Sequence, residues 1–246
     1  LRWLQIVSSG FDEYVALRDT PITVTTAHGV HAPIIAQHVL AMILWFTRGQ
    51  PHLAAKQRER AWDRRPSIPQ DLARQTVGIV GYGEVGQALA RFLRPIGPRL
   101  LAAKRTAAAQ PPELDALFTL DRLDELLAAS DHVVITLPLT TETRGLFDAA
   151  RLARFKRGAI LHNVARGGLV DEAALLACLR DGSLGGAALD VFAQEPLPPE
   201  SPFWDLPNVI VTPHLAGHHR DHGIPTLERH REKHRRRHAG EPLLHV

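Results

Sequence analysis

Four short stretches of this chain hold side chains that could act together on one substrate. Asn163-Val164-Ala165-Arg166-Gly167-Gly168 offers a fixed cation. Asp190-Val191-Phe192-Ala193-Gln194-Glu195-Pro196 offers a carboxylate, and Thr212-Pro213-His214 an imidazole. All three follow a glycine-rich turn, Gly81-Tyr82-Gly83-Glu84-Val85-Gly86. A guanidinium stays charged and grips a carboxylate through two parallel hydrogen bonds. A histidine exchanges a proton near neutral pH, and a carboxylate beside it orients the ring and stabilises the imidazolium. A glycine turn that opens a helix receives phosphates on free N–H groups. The set suits reduction of a carbonyl next to a carboxylate, with the hydride supplied by a nucleotide, and makes Arg166, Glu195 and His214 the candidate catalytic residues. Taken singly, each has a plainer reading: a surface arginine, a solvated loop acid, a strand-end histidine. All three fall at or just beyond strand ends of one sheet, which favours the joint reading.

The elements that must position them follow from the rhythm of the chain. From Thr76 onward, short apolar strands alternate with helical patterns. Strands are expected at Val77–Val80, Leu100–Ala103, His132–Leu137, Ala159–Asn163, Ala187–Val191 and Val209–Thr212. Helices are expected at Val85–Leu93, Leu123–Ala129, Asp148–Arg154 and Asp171–Arg180. That alternation predicts an α/β fold with a doubly wound parallel sheet covered on both faces, and such sheets bind ligands at the carboxyl ends of their strands. Upstream, Trp3–Val7 and Ile22–Thr26 read as two strands. A long helical stretch from about Pro33 to Trp62 follows, which Pro51 should kink or break. Pro66-Ser67-Ile68-Pro69 reads as a linker.

The glycine turn is placed to bind a dinucleotide. Gly81 permits the tight turn, Gly83 lets backbone approach a pyrophosphate, and Gly86 allows close helix–strand packing. Tyr82, Gly83, Glu84 and Val85 are therefore candidate cofactor contacts. About twenty residues on, an acid would normally hold the ribose of NAD. Here no Asp or Glu lies between Glu84 and Glu113, and the second strand ends in Lys104-Arg105-Thr106. Two cations and a hydroxyl suit a 2′-phosphate, so NADP(H) is the favoured cofactor and NAD(H) remains possible. The plainer reading makes Lys104 and Arg105 loop charges without a selective role.

The bulk numbers are those of an ordinary globular protein. The chain has 246 residues, 45% hydrophobic and 22% charged, enough for one large or two modest domains. Its one cysteine, Cys178, rules out an intrachain disulfide and fits a reducing, cytoplasmic setting. The longest apolar run, Val39 to Phe46, is too short to span a bilayer, and no secretory signal opens the chain. The first residue is Leu1, already inside a strand pattern, so the natural start is expected to lie upstream. From His218 to Val246 seven Arg/Lys face four acids, an excess of three that equals the net charge of the whole chain. A basic tail can bind nucleic acid, but no aromatic residue is interleaved for stacking, so a solvated helix face is favoured. His230, His234 and His238 share one helical face. No acid or cysteine completes a ligand set, and no metal is expected.

The segment from Thr76 to Gly217 closely resembles the D-isomer-specific 2-hydroxyacid dehydrogenases. The matching strings are Val77-Gly78-Ile79-Val80-Gly81-Tyr82-Gly83, Leu137-Pro138-Leu139-Thr140, Asn163 through Asp171, Asp190-Val191-Phe192 through Glu195-Pro196-Leu197, Leu206-Pro207-Asn208-Val209 and Thr212-Pro213-His214. They cover more than half of the chain. The resemblance implies a Rossmann NAD(P)-binding domain beside a partial flavodoxin-like substrate domain. It implies that Arg166, Glu195 and His214 are the catalytic triad of a reductase acting at C2 of a small 2-oxo or D-2-hydroxy acid, of the glyoxylate or hydroxypyruvate kind. It further implies cofactor contacts from Leu137, Pro138, Thr143, Val164, Ala165, Arg166, Asp190, His214 and Gly217, and a homodimer through the helical region 33–62. The domain boundaries it suggests are 1–67 for part of the substrate domain with the interdomain helix, 68–217 for the nucleotide domain, and 218–246 for a tail returning to the substrate domain. Two departures stand out: the family's substrate domain begins before Leu1, and the tail carries only six apolar residues from His218 on. Gln37 also stands where members often carry an acid. A catalytically impaired nucleotide-binding regulator, like the family's corepressors, and a decayed fragment are the rival readings.

Overall fold

The computed structural model describes residues 1–6, 10, 12–17, 19–27, 29–63, 70–220 and 223–243. The expected linker at Pro66–Pro69 lies outside the described residues, as do Val7, Leu244 and Val246. The chain divides into two compact units, one of residues 1–34 with 217–246, the other of residues 35–216. In chain order the elements are β1 (Trp3–Gln5), β2 (Thr23–Thr25), α1 (Ala32–Thr47), α2 (Gln50–Arg58), β3 (Thr76–Val80), α3 (Glu84–Leu93), β4 (Arg99–Lys104), β5 (Ala116–Thr119), α4 (Leu123–Ala129), β6 (His132–Ile135), α5 (Ala149–Leu152), β7 (Ile160–Asn163), α6 (Glu172–Asp181), β8 (Gly186–Leu189), β9 (Val209–Val211) and α7 (Gly223–His238).

In the larger unit seven parallel strands form one sheet in the order β5-β4-β3-β6-β7-β8-β9. This is the doubly wound arrangement expected. The order reverses beside β3, so the crevice at the switch point opens at the carboxyl end of β3. Strands covered on both faces need apolar residues throughout: Val77 to Val80, Leu100 to Ala103 and His132 to Ile135 are all buried. Leu123, Leu126 and Leu127 of α4 and Phe147, Leu152 and Leu175 complete that core. α6 starts on Asp171, whose carboxylate accepts from Ala173 N and Ala174 N at 3.0 Å each, and ends on Gly182 at φ 72°.

Two departures from the sequence reading have physical causes. The helical stretch does break near Pro51, but the break is made by Gly49 at φ 66°, and Pro51 occupies the first turn of α2, where its missing N–H costs nothing. The strand β5, not anticipated, is a four-residue Ala-Leu-Phe-Thr piece at the sheet edge, too short to show a period. Strand bounds also shift: β6, β8 and β9 end one or two residues earlier than expected, while β3 and β4 are longer.

Beneath β6 and β7 lies a buried polar layer. His132 Nδ1 is 3.0 Å from His162 Nε2, while His132 Nε2 lies 3.3 Å from both Thr47 Oγ1 and Gln75 Oε1. Both rings are 1% exposed, and burial drives both pKa values down, that of His132 to about 4. Both are therefore neutral at physiological pH.

In the smaller unit, β1 and β2 pair in parallel. Trp3 Nε1 donates to Thr25 Oγ1 at 2.9 Å, and His230 stacks on the Trp3 ring with centroids 5.3 Å apart. The expected solvated basic face is corrected at Lys233. This residue is fully buried and donates to Gln5 Oε1 and the Thr26 carbonyl, because the helix needs a long stem to fill that position and the ammonium finds backbone and amide acceptors there. The histidine stripe is real, with His234 and His238 ring centroids 4.5 Å apart.

Candidate functional site

The glycine turn leaves β3 at the switch point and enters α3 directly. Gly81 adopts φ 107°, and a Cβ there would stand 2.8 Å from Leu137 N on the neighbouring strand end. A Cβ on Gly86 would stand 2.5 Å from the Gly81 carbonyl oxygen, so only glycine lets α3 start so close to β3. Gly83, by contrast, faces open space, with nothing within 4 Å of where a Cβ would be. It caps α3 without a side-chain hydrogen bond, and the N-terminus of a helix favours phosphate through its backbone N–H groups. The cradle fits the diphosphate of a dinucleotide. Glu84 and Val85 are half-buried in the first turn, while Tyr82 is buried.

The adenosine side of the crevice is bounded by the end of β4. Lys104 is half-buried there, and Arg105 and Thr106 are exposed on the following loop. On the other side, Leu137 is buried and Pro138 exposed. The Thr143 hydroxyl donates to the Pro138 carbonyl at 2.7 Å and accepts from Thr140 N at 2.8 Å, so this side chain holds its own loop in shape.

The catalytic candidates sit at the carboxyl ends of β7, β8 and β9. Asn163 clamps the first turn: its Oδ1 accepts from Ala165 N at 3.1 Å, and its Nδ2 donates to the Arg166 carbonyl at 3.0 Å. Arg166 is half-buried in extended backbone, and its Nη1 donates to the Ala165 carbonyl at 2.7 Å. A guanidinium carries five N–H donors in a planar fork that matches a carboxylate. Val164 is half-buried and Ala165 is 9% exposed. Gly167 then runs hard against the loop after β8. A Cβ there would fall 1.9 Å from the Phe192 carbonyl carbon and 2.2 Å from Ala193 N.

That loop carries Glu195. It is pinned twice, by Ala193 N donating to Glu172 Oε1 at 2.6 Å and by Phe192 N donating to Glu195 Oε1 at 3.0 Å. The other carboxylate oxygen of Glu195 lies 2.7 Å from His214 Nδ1. The imidazole is thereby oriented, and its Nε2 is the nitrogen left for substrate; the side chain is 48% exposed. The Glu195–Pro196 peptide bond is cis.

His214 adopts φ 50°, a left-handed conformation that costs a non-glycine residue about 1 kcal/mol or more. Asp190 holds it there. The His214 N–H donates to the Asp190 carbonyl at 2.8 Å, and the Asp190 carboxylate accepts from Thr212 Oγ1 at 2.6 Å and from Leu215 N and Ala216 N at 3.0 Å each. Asp190 is 3% exposed. Expected as a cofactor contact, it also has a structural part: its carboxylate braces the histidine turn. His38 of α1 approaches Thr212 Oγ1 at 3.5 Å, with its pKa lowered by burial against the opposing pull of Asp190. Gly217 begins the segment that belongs to the smaller unit.

Sequence reasoning did not find Asn163, Gly167, Glu172 and Asp190 as the supports of the site. Only Asn163 left a local trace, as a residue type that bonds backbone two residues on. Among the described residues no group of three or more His, Cys, Asp or Glu side chains is placed to hold a metal, and no helix is long and apolar enough to cross a membrane.

Residues 40–216 match the family model described as D-isomer specific 2-hydroxyacid dehydrogenase, NAD binding domain. The chain is 40% identical over 211 residues to a D-3-phosphoglycerate dehydrogenase of Mycobacterium bovis, covering 82% of this chain and 39% of that protein. It is 38% identical over 226 residues to glyoxylate/hydroxypyruvate reductase B of Citrobacter koseri, covering 88% and 68%. The chain thus spans well under half the length of the first of these relatives. Among solved structures, a D-isomer specific 2-hydroxyacid dehydrogenase of Xanthobacter autotrophicus in complex with NADPH and MES is similar at TM-score 0.89 and 40% identity, over 100% of this chain and 77% of that one. An NADPH-dependent glyoxylate/hydroxypyruvate reductase of Sinorhizobium meliloti in complex with NADP and sulfate is similar at TM-score 0.90 and 33% identity, over 100% and 78%.

Proposed function

This chain belongs to the D-isomer specific 2-hydroxyacid dehydrogenase family, and we propose that it reduces a small 2-oxo acid, of the glyoxylate or hydroxypyruvate kind, with NADP(H) as the favoured cofactor. The observation that carries the reading is the 2.7 Å contact of Glu195 with His214 Nδ1, on a loop packed backbone-to-backbone against the Arg166 turn. Arg166 holds the substrate carboxylate through two parallel N–H donors. His214, its ring oriented by Glu195, gives the proton on Nε2 to the oxygen of the forming alkoxide. The nicotinamide, when bound, supplies the hydride. The Gly83–Val85 turn holds the diphosphate, and Lys104, Arg105 and Thr106 receive the 2′-phosphate. The relatives solved with NADPH or NADP support that choice. Leu137, Pro138, Val164 and Ala165 line the path between.

On the same reading, the smaller unit is part of a substrate domain, and the helical region 33–62 joins two copies of the chain. Support for the dimer comes from apolar side chains left exposed there: Leu44 at 36%, Trp45 at 37%, Leu53 at 36% and Trp62 at 89%. Cytoplasmic residence is inferred from the single cysteine.

The test is a titration with NADPH and NADH separately, followed by turnover of a panel of 2-oxo acids by the wild type and by His214→Ala. Turnover at saturating NADPH should fall by about 10²–10⁴-fold in the variant, the contribution of a positioned proton donor. Retained turnover in the variant would remove the catalytic assignment. Tight NADPH binding with no turnover by the wild type would make this a nucleotide-binding regulator instead.

A further inference from the structure

We propose that Glu113 is a positioning residue for cofactor choice: latched to the phosphate turn through Tyr82, it holds the Arg105-Thr106 loop that follows Lys104 of β4 in register for the 2′-phosphate of NADPH. The proposal rests on the reading that this loop receives the 2′-phosphate.

Tyr82 lies between the first two glycines of the turn, but its side chain does not face the open cradle. The ring is 6% exposed, and its hydroxyl donates to Glu113 Oε1 at 2.7 Å. Glu113 stands 31 residues away, on the irregular loop that runs from Arg105 to Asp115 between β4 and β5. The far half of that loop, which carries Glu113, is also braced by two bonds of its own and by one to β4. Gln110 Nε2 donates to the Leu114 carbonyl at 2.8 Å, Leu114 N donates to the Pro111 carbonyl at 3.1 Å, and the Asp115 carboxylate accepts from Leu100 N at 2.7 Å. The near half, Arg105 to Gln110, is exposed throughout. It is held at one end by β4 and at the other by the half that carries Glu113. The Tyr82–Glu113 bond therefore joins the glycine turn to the loop that carries Arg105.

The bond also disposes of a charge. Glu113 is the first acid after Glu84 in the sequence, and a free carboxylate on this loop would compete with a phosphate for Lys104 and Arg105. In this structure Glu113 is engaged by the Tyr82 hydroxyl instead, with Arg91 of α3 as its nearby cation. The hydrogen bond draws the Glu113 carboxyl below its ordinary range, and burial, then Glu113, pushes the Tyr82 phenol up. The opposite wall repeats the device. Glu142, the acid that feels Arg105, accepts from the Thr140 hydroxyl at 2.6 Å. Glu113 and Glu142 are thus each engaged by a hydroxyl donor.

Three variants separate a latch from a bare charge. If Glu113 acted only as a charge near the 2′-phosphate, removing it by any substitution would tighten NADPH binding. A latch predicts otherwise. Glu113→Gln keeps an acceptor for Tyr82 and loses the charge, so NADPH affinity is held within about twofold or improved. Glu113→Ala loses both, and NADPH binding should weaken about tenfold, the scale of one hydrogen bond to a charged group. Tyr82→Phe keeps the ring and frees an ionised Glu113, so NADPH binding should weaken at least as much. The double variant should be no worse than the single ones, because both remove the same bond. NADH affinity, measured on the same proteins by nicotinamide fluorescence, should move by less than about twofold in Glu113→Ala. Parallel weakening of NADPH and NADH, or equal effects of Glu113→Gln and Glu113→Ala, overturns the latch. A wild type that does not prefer NADPH removes both the latch and the cofactor reading. A wild type that prefers it, with Glu113→Ala indistinguishable, removes the latch alone.

Discussion

Gly167→Ala is the sharpest probe of how the site is assembled. The added Cβ would sit 1.9 Å from the Phe192 carbonyl carbon, 2.2 Å from its oxygen and 2.2 Å from Ala193 N. All three are backbone atoms, so no side chain can rotate away. Ordinary carbon contacts begin near 3.4 Å, so the Arg166 turn and the Glu195 loop must part by about 1.5 Å. The loop cannot yield freely, because Glu172 and Glu195 both hold its N–H groups. Displacement of a catalytic group by about 1 Å costs roughly 10²-fold in rate, and overpacking of this kind costs about 1–3 kcal/mol of stability. For a chain of this size that is a fall of roughly 2–12 °C in Tm. Steady-state reduction of a 2-oxo acid by NADPH, with a thermal melt on the same sample, reads both numbers. Gly168→Ala is the matched control. Its Cβ would meet only the ends of the Arg144 and Leu139 side chains at 3.3 Å, which can swing aside, so its kcat/KM should stay within about threefold. A Gly167→Ala enzyme as active as Gly168→Ala would refute the claim that this backbone contact sets the distance between cation and proton donor.

Three further outcomes are expected. Asp190→Ala leaves Leu215 N, Ala216 N and the Thr212 hydroxyl without their acceptor; at about 1–3 kcal/mol for each orphaned group, urea unfolding should show a loss of at least about 3 kcal/mol, and kcat should fall more than KM rises. Arg166→Lys keeps the charge but loses the fork, so KM for the 2-oxo acid, measured at saturating NADPH, should rise by about tenfold or more. Acid should weaken the fold through His132: burial lowers its pKa from the 6.5 it has when unfolded to about 4, so the stability it contributes is present above pH 6.5 and is lost as pH falls toward 4. That amounts to about 3 kcal/mol at the low end, with His162 acting in the same direction; urea midpoints measured from pH 7.5 to pH 4.5 that do not fall, or a His132→Asn variant with the same slope as wild type, would count against it.

Much of the larger unit was legible because its signals are local. A buried parallel strand must be apolar throughout, and a glycine turn between such a strand and a helix needs no distant partner to be recognised. β5 escaped because four residues at a sheet edge carry no period. The helix break was placed by Pro51 where the chain uses Gly49, since proline is tolerated in a first helical turn. Lys233 escaped because a lysine in a basic run reads as solvated unless the acceptors around its ammonium are known.

Residue types and their spacing were enough to read a candidate chemistry and its frame: a glycine turn at the head of a doubly wound sheet, and Arg166, Glu195 and His214 at strand ends along one crevice. How those groups are held came only from the folded path. Gly167 meets the Phe192–Ala193 backbone, Asp190 braces the histidine turn with its carboxylate and keeps His214 at φ 50°, and Tyr82 reaches across to Glu113. Each of those facts is a pairing between residues far apart in the chain. Residue type limits what a side chain can bond, but only the folded path says which of its possible partners is within reach.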